Sequence, residues 1–366
     1  MELWKVALED MGINPPFWKG KKVLLTGHTG FKGSWLSLWL QKLGVDLIGF
    51  SLSIPTKPSL FELAKVEDGM TSLMGDIRNY NSLENVIREY KPEIIIHMAA
   101  QSLVHQSYKD PIETYTTNVI GTVNLLEAVR KVGIECVIIN VTSDKCYENK
   151  EWIWGYREND PMGGYDPYSN SKGCAELVTS SFRNSFFSPA DYKQHHVALA
   201  SARAGNVIGG GDWATDRLIP DIMMGILENN PIKIRNPNGL RPWQYVLEPL
   251  SGYLLLAEKL WSEGPEYMEG WNFGPNYEDA KPVSWIIEKI SQKWGEDIKW
   301  ELSRNTQHEA NYLKLDCSKA HTKLGWFPKT NLEQALKFTV EWYKQYGKRN
   351  DLRKFTEEQI ENFNRL

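Results

Sequence analysis

The chain has 366 residues, 42% of them hydrophobic and 24% charged, with a net charge of −4 at neutral pH. These are the proportions of an ordinary folded protein with room for a large core and two lobes, and they exclude a general electrostatic pull toward nucleic acid or an anionic membrane surface. No run of about 18 apolar residues is available to span a bilayer, and the opening MELWKVALEDMG lacks the apolar stretch of a signal peptide.

Residues 22–26 (KVLLT) are a short apolar run stopping at glycine, as a buried parallel strand does. The segment TGHTGFKG follows, then SWLSLWLQKLG with apolar residues at helical spacing and Gly44 as a C-cap. VDLIGFS reads as the next strand. The alternation continues with a strand near 72–75, a helix at 80–90, a strand at 93–97, a long helix at 110–132 and a strand at 136–141. A helix at 167–187 and a strand at 196–202 complete it. Strands alternating with helices predict an α/β fold, a doubly wound parallel sheet of the Rossmann type. Trp35 and Trp39, two of 15 tryptophans, fall at helical spacing and read as core.

From about Gly205 the rhythm breaks, at GNVIGGGDW and then NPNGLRPW. We expect residues 1–205 to form a dinucleotide-binding domain and 206–366 mainly a smaller α/β substrate lobe. A helix at about 248–262 should return to the first domain. Helices near 283–294 and 331–346 should build the second, and the charged tail after Lys348 is expected to fray. Cys136, Cys146, Cys174 and Cys317 are scattered without paired spacing, which argues against a metal site or disulfide framework and fits a reducing cytoplasm.

The glycine segment directly after the first strand predicts a pyrophosphate cradle. Gly27 would allow the tight turn, Gly30 the approach of the anion and Gly33 close packing of the helix, with Thr29 and Phe31 between them. The second strand ends at Ser51, where an acid usually grips the adenosine ribose. With no arginine following at once to attract a 2′-phosphate, NAD is favoured over NADP. Asp76, beside Ile77, is a candidate for the adenine amine or, alternatively, a helix N-cap. Ala99, Ala100 and Gln101 leave the fourth strand through small residues, so that a cofactor can lie across the strand ends. Near the fifth strand end stand Ser143, Asp144 and Lys145, where open sheets place their chemistry. Tyr168 and Lys172, four apart on one helix face, pair a phenol with an ammonium that would favour its ionised form.

Together TGHTGFKG, HMAAQS, Asn118 in TTNVIGT, TSDKCY, YDPYSNSK and RAGNVIGGGDW resemble the extended short-chain dehydrogenase/reductase family, and within it the nucleotide-sugar 4,6-dehydratases. The resemblance runs from about residue 17 to 345. Relatives acting on dTDP-glucose usually carry Thr-Asp-Glu where this chain has Ser143-Asp144-Lys145. The lysine, with WGYRENDPMGGYDPYSNSKGCAE after it, resembles the branch whose substrate is CDP-glucose. The resemblance implies NAD as cofactor, with Asn118, Tyr168 and Lys172 among its contacts. It also implies a homodimer through helices 110–132 and 167–187. Tyr168 would take the proton of the sugar 4-hydroxyl, Ser143 would bond that hydroxyl, and Asp144 would protonate the departing 6-hydroxyl. Lys145 would either remove the proton on carbon 5 or stay charged and stabilise the enolate. Asn206, Arg217 and Arg241 lie where relatives hold the sugar nucleotide. His308 and Tyr312 are weaker candidates, because EANYLKLD has no arginine where relatives often place one. A 4-epimerase of the same fold, or a dehydratase for a dTDP-, UDP- or GDP-linked hexose, is the alternative; an epimerase has no use for an acid and a base beside the tyrosine.

Overall fold

The computed structural model describes residues 12–303 and 312–366. Its centre is a seven-stranded sheet built from β1 (Lys22–Thr26), β2 (Asp46–Ser51), β3 (Thr71–Met74), β4 (Ile94–His97), β5 (Cys136–Val141), β6 (Val197–Ala204) and β11 (Gly270–Phe273). The order is β11-β6-β5-β4-β1-β2-β3 and every pairing is parallel. Strand order reverses between β1 and β4, so a crevice opens at the carboxyl ends of these two strands. The runs IIIH and CVIINV are buried along their full length, as strands covered by helices on both faces must be.

Flanking the sheet are α1 (Phe31–Lys42), α2 (Tyr80–Tyr90), α3 (Pro111–Tyr115), α4 (Gly121–Val132) and α5 (Pro167–Ser185). The long helix expected at 110–132 is interrupted. A π-helical turn, Thr116–Ile120, joins α3 to α4 and carries Asn118 inward. Such turns insert one residue into the helical repeat and re-aim the side chains on it. Trp35 and Trp39 are fully buried on α1, as their spacing predicts.

Beyond β6 come β7 (Val207–Ile208), α6 (Leu218–Glu228), β8 (Ile232–Ile234), β9 (Leu240–Pro242) and β10 (Gln244–Tyr245), followed by α7 (Leu247–Glu263). Helix α7 packs on β5 and β6. It leads into β11, an edge strand of four residues (GWNF) too short to be read from periodicity. The remaining elements are β12 (Ala280–Pro282), α8 (Val283–Trp294), β13 (Trp300–Leu302), α9 (Leu332–Gly347) and α10 (Leu352–Asn364).

Helix α10 corrects the expectation of a frayed tail. Asp351 caps it, and Leu352, Ile360 and Phe363 are buried among its charges. Phe363 meets Trp39 edge-on at 5.8 Å, and Arg353 donates to the Lys65 carbonyl at 2.7 Å. Burying three large apolar side chains is worth about 1.5–3 kcal/mol each, enough to hold an otherwise polar helix on the body of the protein.

Candidate active site

Gly27 has φ +79° and lies so close to β4 that a Cβ there would sit 2.8 Å from the Ala99 nitrogen. A Cβ on Gly33 would lie 2.1 Å from the Gly27 carbonyl oxygen, so α1 starts hard against the loop. Gly30 is the N-cap of α1, in extended backbone, where a Cβ would only touch the Gly27 carbonyl oxygen at 3.4 Å. Only glycines let the loop turn this tightly against the end of β4 and the start of α1, and a helix N-terminus so exposed favours an anion.

Other residues expected beside a cofactor are braced by bonds within the protein. The buried Ser51 hydroxyl accepts from the Thr29 backbone N–H at 3.4 Å, bracing the loop from below. Thr29 in turn donates its hydroxyl proton to the Ser53 carbonyl at 2.8 Å. Asp76 is gripped by the Arg78 guanidinium at 2.6 Å, which together with its hydrogen bonds holds the carboxyl below its ordinary range. It is not a helix cap, since Asn79 performs that task for α2. Ile77 is buried against Gly121 at the start of α4. The Asn118 amide accepts from Gln101 N–H at 2.9 Å and donates to the Gln101 carbonyl and to Ser171 Oγ at 2.9 and 2.8 Å. Thus Asn118 ties the loop after β4 to α5. Thr26 Oγ1 accepts from Met98 and Ala99 N–H, both at 3.1 Å, and completes the turn.

A cavity of about 920 Å³ opens over the carboxyl ends of β4, β5 and β6. Phe31, Ala100, Ser143, Asp144, Lys145, Tyr168, Lys172, Asn206, Arg217 and Arg241 all line it, so residues far apart in the chain converge there. Tyr312 is not among the lining residues; its hydroxyl reaches the Ile153 carbonyl at 3.5 Å. His308 falls outside the described residues.

The catalytic candidates lie side by side. The Ser143 hydroxyl favours the ionised form of the Tyr168 phenol, and Ser143 Oγ donates to Asp144 Oδ1 at 3.0 Å. Burial raises the Asp144 carboxyl above its ordinary range, against the opposing pull of Lys145. Its other oxygen, Oδ2, is buried with no hydrogen-bond partner among the described residues. That oxygen rests on Gly205, where a Cβ would come within 1.9 Å of it. A carboxylate so placed would lack solvation on one side, which favours the neutral acid.

Burial likewise pushes the Tyr168 phenol up to about 12, and brings Lys172 down to about 8 against the opposing charge of Glu176. The Lys172 ammonium donates to the Val141 carbonyl at 3.3 Å. On the protein's own charges the phenol is neutral, and its ionised form awaits the cationic cofactor ring as well as Lys172. Desolvation outweighs the local cations until a further positive charge arrives.

Three features escape a reading of the sequence. Lys32, in the first turn of α1, is half-buried on the cavity wall. Burial and the nearby Lys172 and Arg217 depress it to about 7. Its only visible signal is a cation in a helical turn built for anions. Second, Gly205 is recognisable only once Asp144 is seen against it. Third, Glu176 and Arg203 form a buried ion pair of 2.7 Å behind the active loop. Glu176 also accepts from Thr142 Oγ1 at 2.5 Å and Ser201 Oγ at 2.7 Å, while Arg203 donates to Tyr147 OH at 2.7 Å. The pair thereby holds residues 142 and 147, on either side of Ser143-Asp144-Lys145.

A glycine cradle at the switch point of a parallel sheet, with tyrosine, lysine, serine and aspartate over the strand ends, defines an extended short-chain dehydrogenase/reductase of the type that remodels nucleotide sugars. The chain belongs to the GDP-mannose 4,6-dehydratase family, whose model matches residues 24–339. It is 60% identical to the CDP-glucose 4,6-dehydratase of Salmonella typhimurium over 93% of this chain and 95% of that protein. The UDP-glucose 4-epimerase of Halalkalibacterium halodurans is 26% identical, over 88% and 96%. Among solved structures, the dTDP-glucose 4,6-dehydratase of Bacillus anthracis in complex with NAD superposes with a TM-score of 0.73 at 24% identity, over 90% of this chain and 99% of that one.

Proposed function

We propose that this protein is an NAD-dependent CDP-glucose 4,6-dehydratase, converting CDP-glucose to CDP-4-keto-6-deoxyglucose with loss of one water. The observation that carries the reading is Asp144: a buried acid with a raised pKa and one unpartnered oxygen, bonded to Ser143 beside the phenol of Tyr168. An epimerase needs the phenol but no second acid. The 60% identity to a CDP-glucose enzyme, against 26% to an epimerase, supports the same choice.

The loop at Gly27, Gly30 and Gly33 fits a dinucleotide pyrophosphate, for its glycines draw it hard against the end of β4 and set the N-terminus of α1 beside it. Bound there, NAD would accept a hydride from sugar carbon 4 and return it to carbon 6, and its cationic ring supplies the positive charge that the neutral Tyr168 lacks. Residues up to 205 serve mainly the cofactor, and those from 206 mainly the sugar nucleotide, with α7 returning to the first sheet. Tyr168 takes the 4-hydroxyl proton, leaving a ketone at carbon 4. That ketone acidifies the hydrogen on carbon 5, which passes to Lys145 or to a base that Lys145 assists. Asp144 gives its proton to the 6-hydroxyl, which leaves as water. A proton restored to carbon 5 then completes the keto-deoxy sugar. Arg217 and Arg241 supply cations for the diphosphate.

The protein is further proposed to act as a homodimer. Ile112, Ile120 and Leu177 are exposed on α3, the π turn and α5, which pack against one another.

The direct test is incubation with NAD and a panel of CDP-, dTDP-, UDP- and GDP-linked hexoses, followed by the strong alkaline absorbance of a 4-keto-6-deoxy sugar. Product from CDP-glucose alone is expected. A sugar isomer without the chromophore would establish epimerisation instead.

A further inference from the structure

The cavity extends past the catalytic side chains to a region where the wall is charged with both signs. Arg217, immediately before α6, spends one nitrogen on Asp212 at 3.2 Å and another on Ser102 at 3.1 Å. Four residues further, one helical turn on, Asp221 lines the same cavity. Opposite it on the chain leaving β8 is Arg235, held in place by donating to His105 Nε2 at 2.5 Å and to the Asp216 carbonyl at 3.1 Å. Burial, and next the charge of Asp216, lift the Asp221 carboxyl to about 6 against the opposing charge of Arg235. At neutral pH Asp221 is therefore mostly a carboxylate, which accepts hydrogen bonds and donates none.

The Asp221 carboxylate is braced by Arg235 and an Asp216 N–H in the first turn of α6, and its remaining lone pairs suit a donor on the ligand. Phosphates only accept. The reacting hexose is committed to Tyr168 and Asp144. What remains of the ligand is the ribose, with hydroxyl donors common to all nucleotides, and the base. Cytosine offers a 4-amino donor beside the N3 and O2 acceptors. Uracil and thymine present an oxygen at position 4, which a carboxylate would repel, and a donor at N3. Position 4 is the discriminating one: a carboxylate set opposite it complements the cytosine amine and faces an oxygen in the other two.

We infer that Asp221 reads the nucleobase: its carboxylate accepts from the 4-amino group of cytosine while Arg235 faces the neighbouring acceptor atoms, so that this pair sets the preference for a cytidine nucleotide. The inference rests on the CDP-glucose reading and assigns its specificity to one side chain. Asp221 is a specificity residue and stands apart from the groups that touch carbons 4 to 6.

The test is calorimetric binding of CDP and UDP to NAD-loaded protein, in wild type, Asp221→Leu and Asp221→Asn. Wild type should prefer CDP by roughly 10- to 100-fold, the discrimination expected of one well-placed base contact. In both variants the preference should collapse toward equal binding, chiefly through loss of CDP affinity, with NAD affinity unchanged. If Asp221→Leu does not fold, the near-isosteric Asp221→Asn decides the matter alone. A CDP preference that survives substitution overturns the inference and leaves the proposed reaction standing. So does a parallel loss of CDP and UDP affinity, which would place Asp221 on the ribose. A wild-type protein that binds UDP as well as CDP and dehydrates another nucleotide hexose removes the functional reading itself.

Discussion

Lys145 follows a buried acid and faces the same cavity, and two mechanisms assign it different work. As a base it would take the carbon-5 proton; as a cation it would stabilise the enolate left behind. Either way Lys145→Ala should leave oxidation at carbon 4 intact, seen as single-turnover formation of NADH. It should slow exchange of the carbon-5 hydrogen with solvent deuterium by about 10²-fold or more, the usual worth of a positioned proton-transfer group. Unchanged exchange would exclude both roles. Lys32 yields a prediction about stability. Its folded pKa, about 7, lies below the ordinary lysine value near 10.4. Between these values the unfolded chain binds more protons, so this lysine costs stability at pH 7 and below, and the cost fades as pH rises toward 10. Lys32→Met should therefore raise the melting temperature most at pH 6–7 and hardly at all near pH 10. A pH-independent gain would mean that the side chain is not held as a buried amine.

At the scale of elements, the Glu176–Arg203 pair joins α5 to β6 and pins both flanks of the active loop. Removing one partner of a buried pair commonly costs about 3–5 kcal/mol, so Glu176→Gln should lower thermal stability markedly. A purely structural role would stop there. Because the Glu176 charge also supports the ammonium of Lys172, its loss should move the alkaline limb of the kcat–pH profile to lower pH. An unshifted limb in a folded variant would restrict the pair to scaffolding.

These interactions also mark how far the sequence could be read. Strands of four to six apolar residues and the Tyr168–Lys172 spacing are local, and both are legible. The contact of Glu176 with Arg203 spans 27 positions and depends on which strand lies beside which helix. The π turn at Thr116–Ile120 leaves no mark in apolar periodicity, yet it turns Asn118 toward Gln101 and Ser171. Helix α10 was obscured by composition, since its buried Leu352, Ile360 and Phe363 are outnumbered by polar neighbours. Ser51 and Asp76 sit at the sequence positions where a cofactor contact is expected, and their bonds to Thr29 and Arg78 could not be read from the sequence.

For the whole molecule, the exposed faces of α3, the π turn and α5 matter most. Ile112 is 76% exposed and Leu177 60%, large values for apolar side chains on neighbouring helices. Light scattering should give the mass of two chains for the wild-type protein. The double variant Ile112→Lys, Leu177→Lys should give one, with NAD binding retained. A wild-type monomer, or a dimer indifferent to these substitutions, would place the contact elsewhere or remove it.

The missing side chain at residue 205 has a consequence for how the enzyme could change. Burial raises the Asp144 carboxyl, and its unpartnered oxygen lies in a notch whose floor is bare backbone. Even a methyl group there would evict the acid from that notch and toward water, where it would ionise. A lineage that altered this glycine would thereby give up elimination while keeping its phenol, its lysine and its dinucleotide cradle, and what remained would be an oxidoreductase in waiting.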